Sequence, residues 1–118
     1  MRLLICGGRD FADWAFFATT MLDTISEFPE ISMIVHGDAD GADTMAYDWA
    51  KQVGIQQVRI PANWVGEGKS AGPKRNALML ELINPDLVLA FPTPTSRGTY
   101  DMTRKSNKAS IECRIHKR

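Results

Sequence analysis

The chain has 118 residues, near the modal size of one domain, so a single domain over 1–118 is expected, with no second domain or long linker. Its 44% hydrophobic and 24% charged residues are ordinary for a folded soluble chain and argue against disorder. Fourteen Lys and Arg balance fourteen Asp and Glu, which argues against a generally basic nucleic-acid coat.

The balance hides a split. Residues 1–59 carry four basic and nine acidic side chains, and residues 60–118 carry ten and five. Such asymmetry often marks a binding surface. Lys105, Lys108, Lys117 and Arg118 read as ordinary solvated charges. No apolar run approaches membrane-spanning length, and MRLLICGGRD is too soon interrupted for a signal peptide, so a cytosolic protein without membrane contact is expected.

In chain order, residues 2–6 form a short apolar run stopped by Gly7 and Gly8, which predicts a buried strand. Trp14, Phe17, Ala18, Met21, Leu22, Ile25 and Phe28 then follow helical spacing, with Asp13 as cap and Pro29 as stop. Residues 32–36 predict a second strand. Ala42, Met45, Ala46, Trp49, Ala50 and Val53 predict a helix ended by Gly54, and residues 57–60 a third strand. Residues 61–72 read as irregular. Pro73 fits a first helical position, with the helix running to about Ile83. Residues 86–91 predict a strand apolar on both faces, Gly98 and Thr99 open a last helix, and residues 111–115 predict a final strand.

Short strands of continuous hydrophobicity separated by helices imply a parallel sheet covered on both faces. Right-handed crossovers, with a long return through residues 61–85, predict a Rossmann-like α/β sheet of five strands in order 3-2-1-4-5. Its switch point lies between strands one and four. Strand four then separates Cys6 from Cys113 by about 9.6 Å, beyond the roughly 7 Å limit of a disulfide. Both cysteines read as small hydrophobes, His36 and His116 stand in no zinc spacing, and no metal or cofactor is expected.

Three loops leave the strand ends where a ligand would sit. In the first, Gly7, Gly8, Arg9 and Asp10 read either as a close backbone approach to a ligand or as a tight turn with Asp10 or Asp13 capping a helix. In the second, Gly37, Asp38, Asp40 and Asp43 lack the spacing of a calcium loop. The favoured reading has Asp40 capping the helix and Asp43 complementing its dipole. In the third, Ser96, Arg97, Gly98 and Thr99 open a helix and offer an anion site. Lys74 and Arg75 sit in a first helical turn, where a bound anion would offset their charge, and Arg75→Ala is expected to leave the melting temperature nearly unchanged.

GGRDF at 7–11, HGDADGAD at 36–43, PANW at 61–64, GKSAGPKRNALM at 68–79, PDLVLAFP at 85–92 and GTYDM at 98–102 are collinear and correctly spaced. Over almost the whole chain this sequence resembles the YspA-like branch of the SLOG superfamily, Rossmann-like relatives of the LOG nucleotide phosphoribohydrolases and of the DprA fold. The resemblance implies a site for a nucleotide or nucleotide-derived ligand. Gly98, Thr99 and Arg97 would hold a phosphate, Arg75 and Asn76 would close over it, and Gly7, Gly8 and Arg9 would line the other wall. Asp10, Gly37, Asp38, Lys69 and Ser96 complete the expected lining, and Trp64 either stacks on a base or anchors its loop.

The departures are local. Thr93–Ser96 replaces glycines after Pro92, Asp40 stands where the family commonly has Arg, and Met102 stands where the LOG enzymes have a catalytic Glu. A binding protein is therefore the first expectation. The alternative is an N-glycosidic hydrolase using Asp101 against a nucleoside monophosphate or an NAD-like substrate. Single-stranded nucleic acid is disfavoured, because no basic groove with interleaved aromatics is present. A homodimer is a further expectation, since small sheet domains with an exposed apolar helix face often pair.

Overall fold

A computed structural model describes residues 1–118. Its strands are β1 (Arg2–Gly7), β2 (Met33–His36), β3 (Gln56–Arg59), β4 (Leu87–Phe91) and β5 (Glu112–Ile115). They form one sheet in the order β3-β2-β1-β4-β5, and every pairing is parallel. The helices are α1 (Trp14–Glu27), α2 (Ala42–Val53), α3 (Trp64–Glu67), α4 (Ala71–Ile83) and α5 (Arg97–Lys108). The predicted strand order is correct, with the reversal between β1 and β4.

The sheet separates two apolar layers. On one face Leu3, Ile5, Ile34, Leu87, Leu89 and Phe91 pack with Phe17 and Met21 of α1 and Ala46 and Trp49 of α2. On the other Leu4, Cys6, Val35, Val88 and Ala90 pack with Met79 of α4 and Met102 of α5. Alternation along each strand feeds both layers, so β4 is buried at every residue.

Local signals behave unevenly. Asp13 caps α1, its carboxylate accepting the Phe16 N–H at 3.0 Å, and Gly54 ends α2 in the left-handed conformation. The buried stripe of α1 runs through Phe17, Thr20, Met21 and Thr24, and Leu22 faces solvent. Thr20 and Thr24 are tolerated inside because their hydroxyls donate to the carbonyls of Phe16 and Thr20. Residues 61–72 are not wholly irregular: Asn63 caps the single turn of α3, and a 3₁₀ turn covers Gly68–Ser70. The next helix begins at Ala71, so Pro73 is its third residue, still within the first turn where its missing N–H costs no bond. Cys6 and Cys113 are free. No helix is long and apolar enough to cross a membrane.

Arg114 of β5 donates a two-pronged pair of hydrogen bonds to Glu27 at the end of α1, at 2.7 and 2.8 Å. These bonds hold the Glu27 carboxyl below its ordinary 4.5, and the Phe16 N–H holds Asp13 below 3.8. A carboxyl lowered by folding stabilises the fold above its unfolded pKa and loses that contribution as pH falls through the folded value. The contributions of Glu27 and Asp13 are therefore expected to be complete above about pH 5 and to be lost below about pH 4, with Glu27→Gln flattening the acid limb of thermal melts.

Candidate functional site

A cleft of about 700 Å³ opens over the carboxyl ends of β1 and β4, at the strand-order reversal. Its walls come from the β1–α1 loop, the β2–α2 loop, the segment from Trp64 to Asn76 and the start of α5.

The β2–α2 loop is shaped by its own polar groups. The Asp43 carboxylate turns inward and accepts the N–H groups of Gly37 and Ala39, both at 3.2 Å. Burial pushes its pKa up, against the lowering effects of these N–H groups and the Arg75 charge. His36 is wholly buried. Its Nδ1 accepts the Asp38 N–H at 3.1 Å, so Nε2 carries the proton and donates to Gln57 Oε1 at 2.9 Å. Gly41, not Asp40, occupies the cap position of α2, with φ +74°. A Cβ there would stand 2.2 Å from the Gly8 carbonyl oxygen, so only glycine lets α2 abut the β1–α1 loop. Asp40 stays exposed without a cap bond, Asp38 faces Arg59 at 3.9 Å, and no three His, Cys, Asp or Glu side chains converge on a metal position.

Arg75 reaches across the cleft floor from α4. Its Nη1 donates to the Gly37 carbonyl at 2.8 Å and to that of Ile60 at 3.4 Å, and its Nε donates to Asn76 Oδ1 at 3.1 Å. Nη2 makes no hydrogen bond within the protein. The Asn76 amide then donates to the Gly98 carbonyl at 3.1 Å and to Asp101 Oδ2 at 3.0 Å, tying α4 to the start of α5. The adjacent Lys74 points away and pairs with Glu67 at 3.0 Å.

The third wall is the start of α5. Ser96 spends its hydroxyl on the Thr93 backbone and does not cap the helix. The Gly98 and Thr99 N–H groups have no partner in the protein, as expected of a first turn without a side-chain cap. Thr99 is 3% exposed, and its hydroxyl is buried with no hydrogen-bond partner. Three donors without partners thus lie within the first turn at the positive end of a 12-residue helix.

Asp101 lies one turn on. Its Oδ2 accepts from Lys105 Nζ at 2.7 Å, and Arg104 stands 3.8 Å from Oδ1. Burial raises its pKa, but the Lys105 and Asn76 bonds outweigh this and hold the carboxyl below its ordinary value.

Of the expected lining, Gly7, Gly8, Arg9, Asp10, Gly37, Trp64, Lys69, Arg75, Asn76, Ser96, Arg97, Gly98, Thr99 and Asp101 all border this one cleft, and Asp38 does not. The Gly8 N–H is used by the Phe91 carbonyl at 3.0 Å, so the glycine pair packs loops together rather than presenting that donor. Asp10 accepts the Thr93 and Thr95 hydroxyls at 2.6 and 3.4 Å, which closes the β4–α5 loop that lacks glycines. Sequence reasoning missed the inward turn of Asp43 and the cation of Arg104. Only the helical spacing of Asp43 beside Ala42 and Ala46 hinted at the first. Five cationic side chains face the cleft against three carboxylates, and Arg9, Lys69 and Arg97 have no carboxylate partner.

The chain is 34% identical over 115 residues to the Gene 61 protein of Mycobacterium phage D29, covering 93% of this chain and 91% of that protein. The model of the YspA, cpYpsA-related SLOG family matches residues 1–65, which carry β1, β2, β3 and two of the three cleft loops. The chain belongs to the YspA, cpYpsA-related SLOG family.

Proposed function

We propose that the protein binds a nucleotide or nucleotide-derived ligand in this cleft, with the phosphate at the start of α5. The observation that carries the reading is the Thr99 hydroxyl, buried without a partner beside the two free N–H groups of Gly98 and Thr99. A phosphate oxygen is an acceptor for all three, and Arg75 and Arg97 supply positive charge to the same cleft. The excess of cations over carboxylates around the cleft suits an anionic ligand. Native mass spectrometry of the freshly purified protein, followed by titration with nucleoside monophosphates, tests this. A co-purifying or titratable phosphorylated ligand supports the reading, and a protein that retains and binds none contradicts it.

Hydrolysis of the glycosidic bond is the second reading. It is favoured by one observation: Asp101 borders the cleft and its carboxyl is held in the ionised form. A carboxylate facing the ribose would stabilise the positive charge that builds as the base leaves. Against it, Asp101 already neutralises Lys105. A binder is expected to release no free base from nucleoside monophosphates, and Asp101→Asn is expected to keep its affinity. Base release by the parent, lost by orders of magnitude in Asp101→Asn at unchanged affinity, would establish the hydrolase instead.

A further inference from the structure

Trp64 stands at the mouth of the cleft, 46% exposed. An exposed indole is costly unless something covers it, and here the Arg9 guanidinium lies over the ring, 4.8 Å from its centroid. Arg9 is itself exposed and pairs with no carboxylate, so nothing else holds it there. The edge of the indole rests on Gly72. A Cβ at that position would stand 3.2 Å from Trp64 Cη2, so glycine lets the ring lie against the first turn of α4. Asn63 caps α3 through the Gly66 N–H at 3.1 Å and so fixes the backbone that presents the ring.

We infer that the Trp64 face covered by Arg9 is the seat of a flat heteroaromatic ring, so that the ligand is an intact, base-bearing nucleotide rather than a phosphorylated sugar. The inference rests on the phosphate position proposed above. The guanidinium occupies the place a base would take, and a base stacks on an indole more strongly than an exposed cation does. Spacing agrees. The Trp64 ring lies over the space a Cβ at Gly72 would fill, and Asn76, four residues further along α4, bonds the Gly98 carbonyl. Four helical residues advance about 6 Å, a span of the order of the ribose that joins a base to its 5′-phosphate. The cleft, at about 700 Å³, has room for a nucleotide.

Calorimetric titration with two probes, AMP and ribose 5-phosphate, separates the base end from the phosphate end. The parent protein is expected to bind AMP about tenfold or more tightly than ribose 5-phosphate. Trp64→Ala is expected to lose about tenfold for AMP and to keep its affinity for ribose 5-phosphate within about threefold. Trp64→Phe, which keeps an aromatic face, is expected to restore most of the loss. The unchanged second probe shows in the same variant that the fold and the phosphate end are intact. Equal affinities of the parent for both probes, an unaltered AMP affinity in Trp64→Ala, or parallel loss of both probes would each overturn the inference. If the parent binds neither probe, the phosphate position itself is wrong and the ring seat falls with it.

Discussion

Thr99→Val is expected to raise the melting temperature and to weaken nucleotide binding together. The Thr99 hydroxyl is buried with no partner, so it carries a desolvation cost that valine, equal in shape, removes. The gain is about 1 kcal/mol, which for a chain of this size corresponds to roughly 4 °C. Binding changes in the opposite direction. A hydroxyl donating to a charged phosphate contributes about 1.5–3 kcal/mol, so affinity is expected to fall roughly tenfold or more. Calorimetric melts and nucleotide titrations on one preparation read both quantities. A melting temperature that drops, or an affinity that holds, shows that the hydroxyl serves the fold in some way other than waiting for an acceptor.

Arg75→Ala is expected to damage both stability and binding, unlike the nearly silent melting temperature expected from the sequence. The side chain is a brace. It ties the Gly37 and Ile60 carbonyls to α4, orients Asn76 and offsets the charge of buried Asp43. Removing it leaves acceptors unsatisfied and a carboxylate uncompensated in a largely buried place, at a cost of about 2–4 kcal/mol and roughly 10 °C in melting temperature. Because Asn76 holds the Gly98 carbonyl, the start of α5 loosens as well, and nucleotide affinity is expected to fall by about tenfold or more. Arg75→Lys keeps the charge but has no planar fork for Gly37 and Asn76 together, so its stability is expected to lie between the two. A melting temperature in Arg75→Ala within about 2 °C of the parent would contradict the brace.

The contrast between these residues explains what the sequence revealed. Continuous apolar strands, the Asp13 cap and Gly54 are local or periodic signals, and with the handedness of crossovers they suffice for the strand order. The convergence of the three loops on one cleft was legible for the same reason: sheet order alone brings Gly7, Gly37 and Gly98 to one end of the strands. Partners distant in sequence were not legible. Asp40 looks like the better cap, but the positive φ at Gly41 and the approach of Gly8 take the helix start past it. Arg75 reads as a free cation because the carbonyl it braces is 38 residues away. The orphaned Thr99 hydroxyl has no sequence signature, since serine and threonine near a helix start usually bond to their own backbone.

The most direct test of the phosphate position is a titration of ¹⁵N-labelled protein with AMP, followed by amide chemical shifts. Free N–H groups that gain a charged acceptor move downfield, and two of them, Gly98 and Thr99, stand in the first turn of α5. Their amide signals are predicted to show the largest downfield shifts and to saturate together, while those of Lys117 and Arg118 in the basic tail stay in place. Saturable shifts that spare Gly98 and Thr99, or no shifts at millimolar AMP, would contradict it.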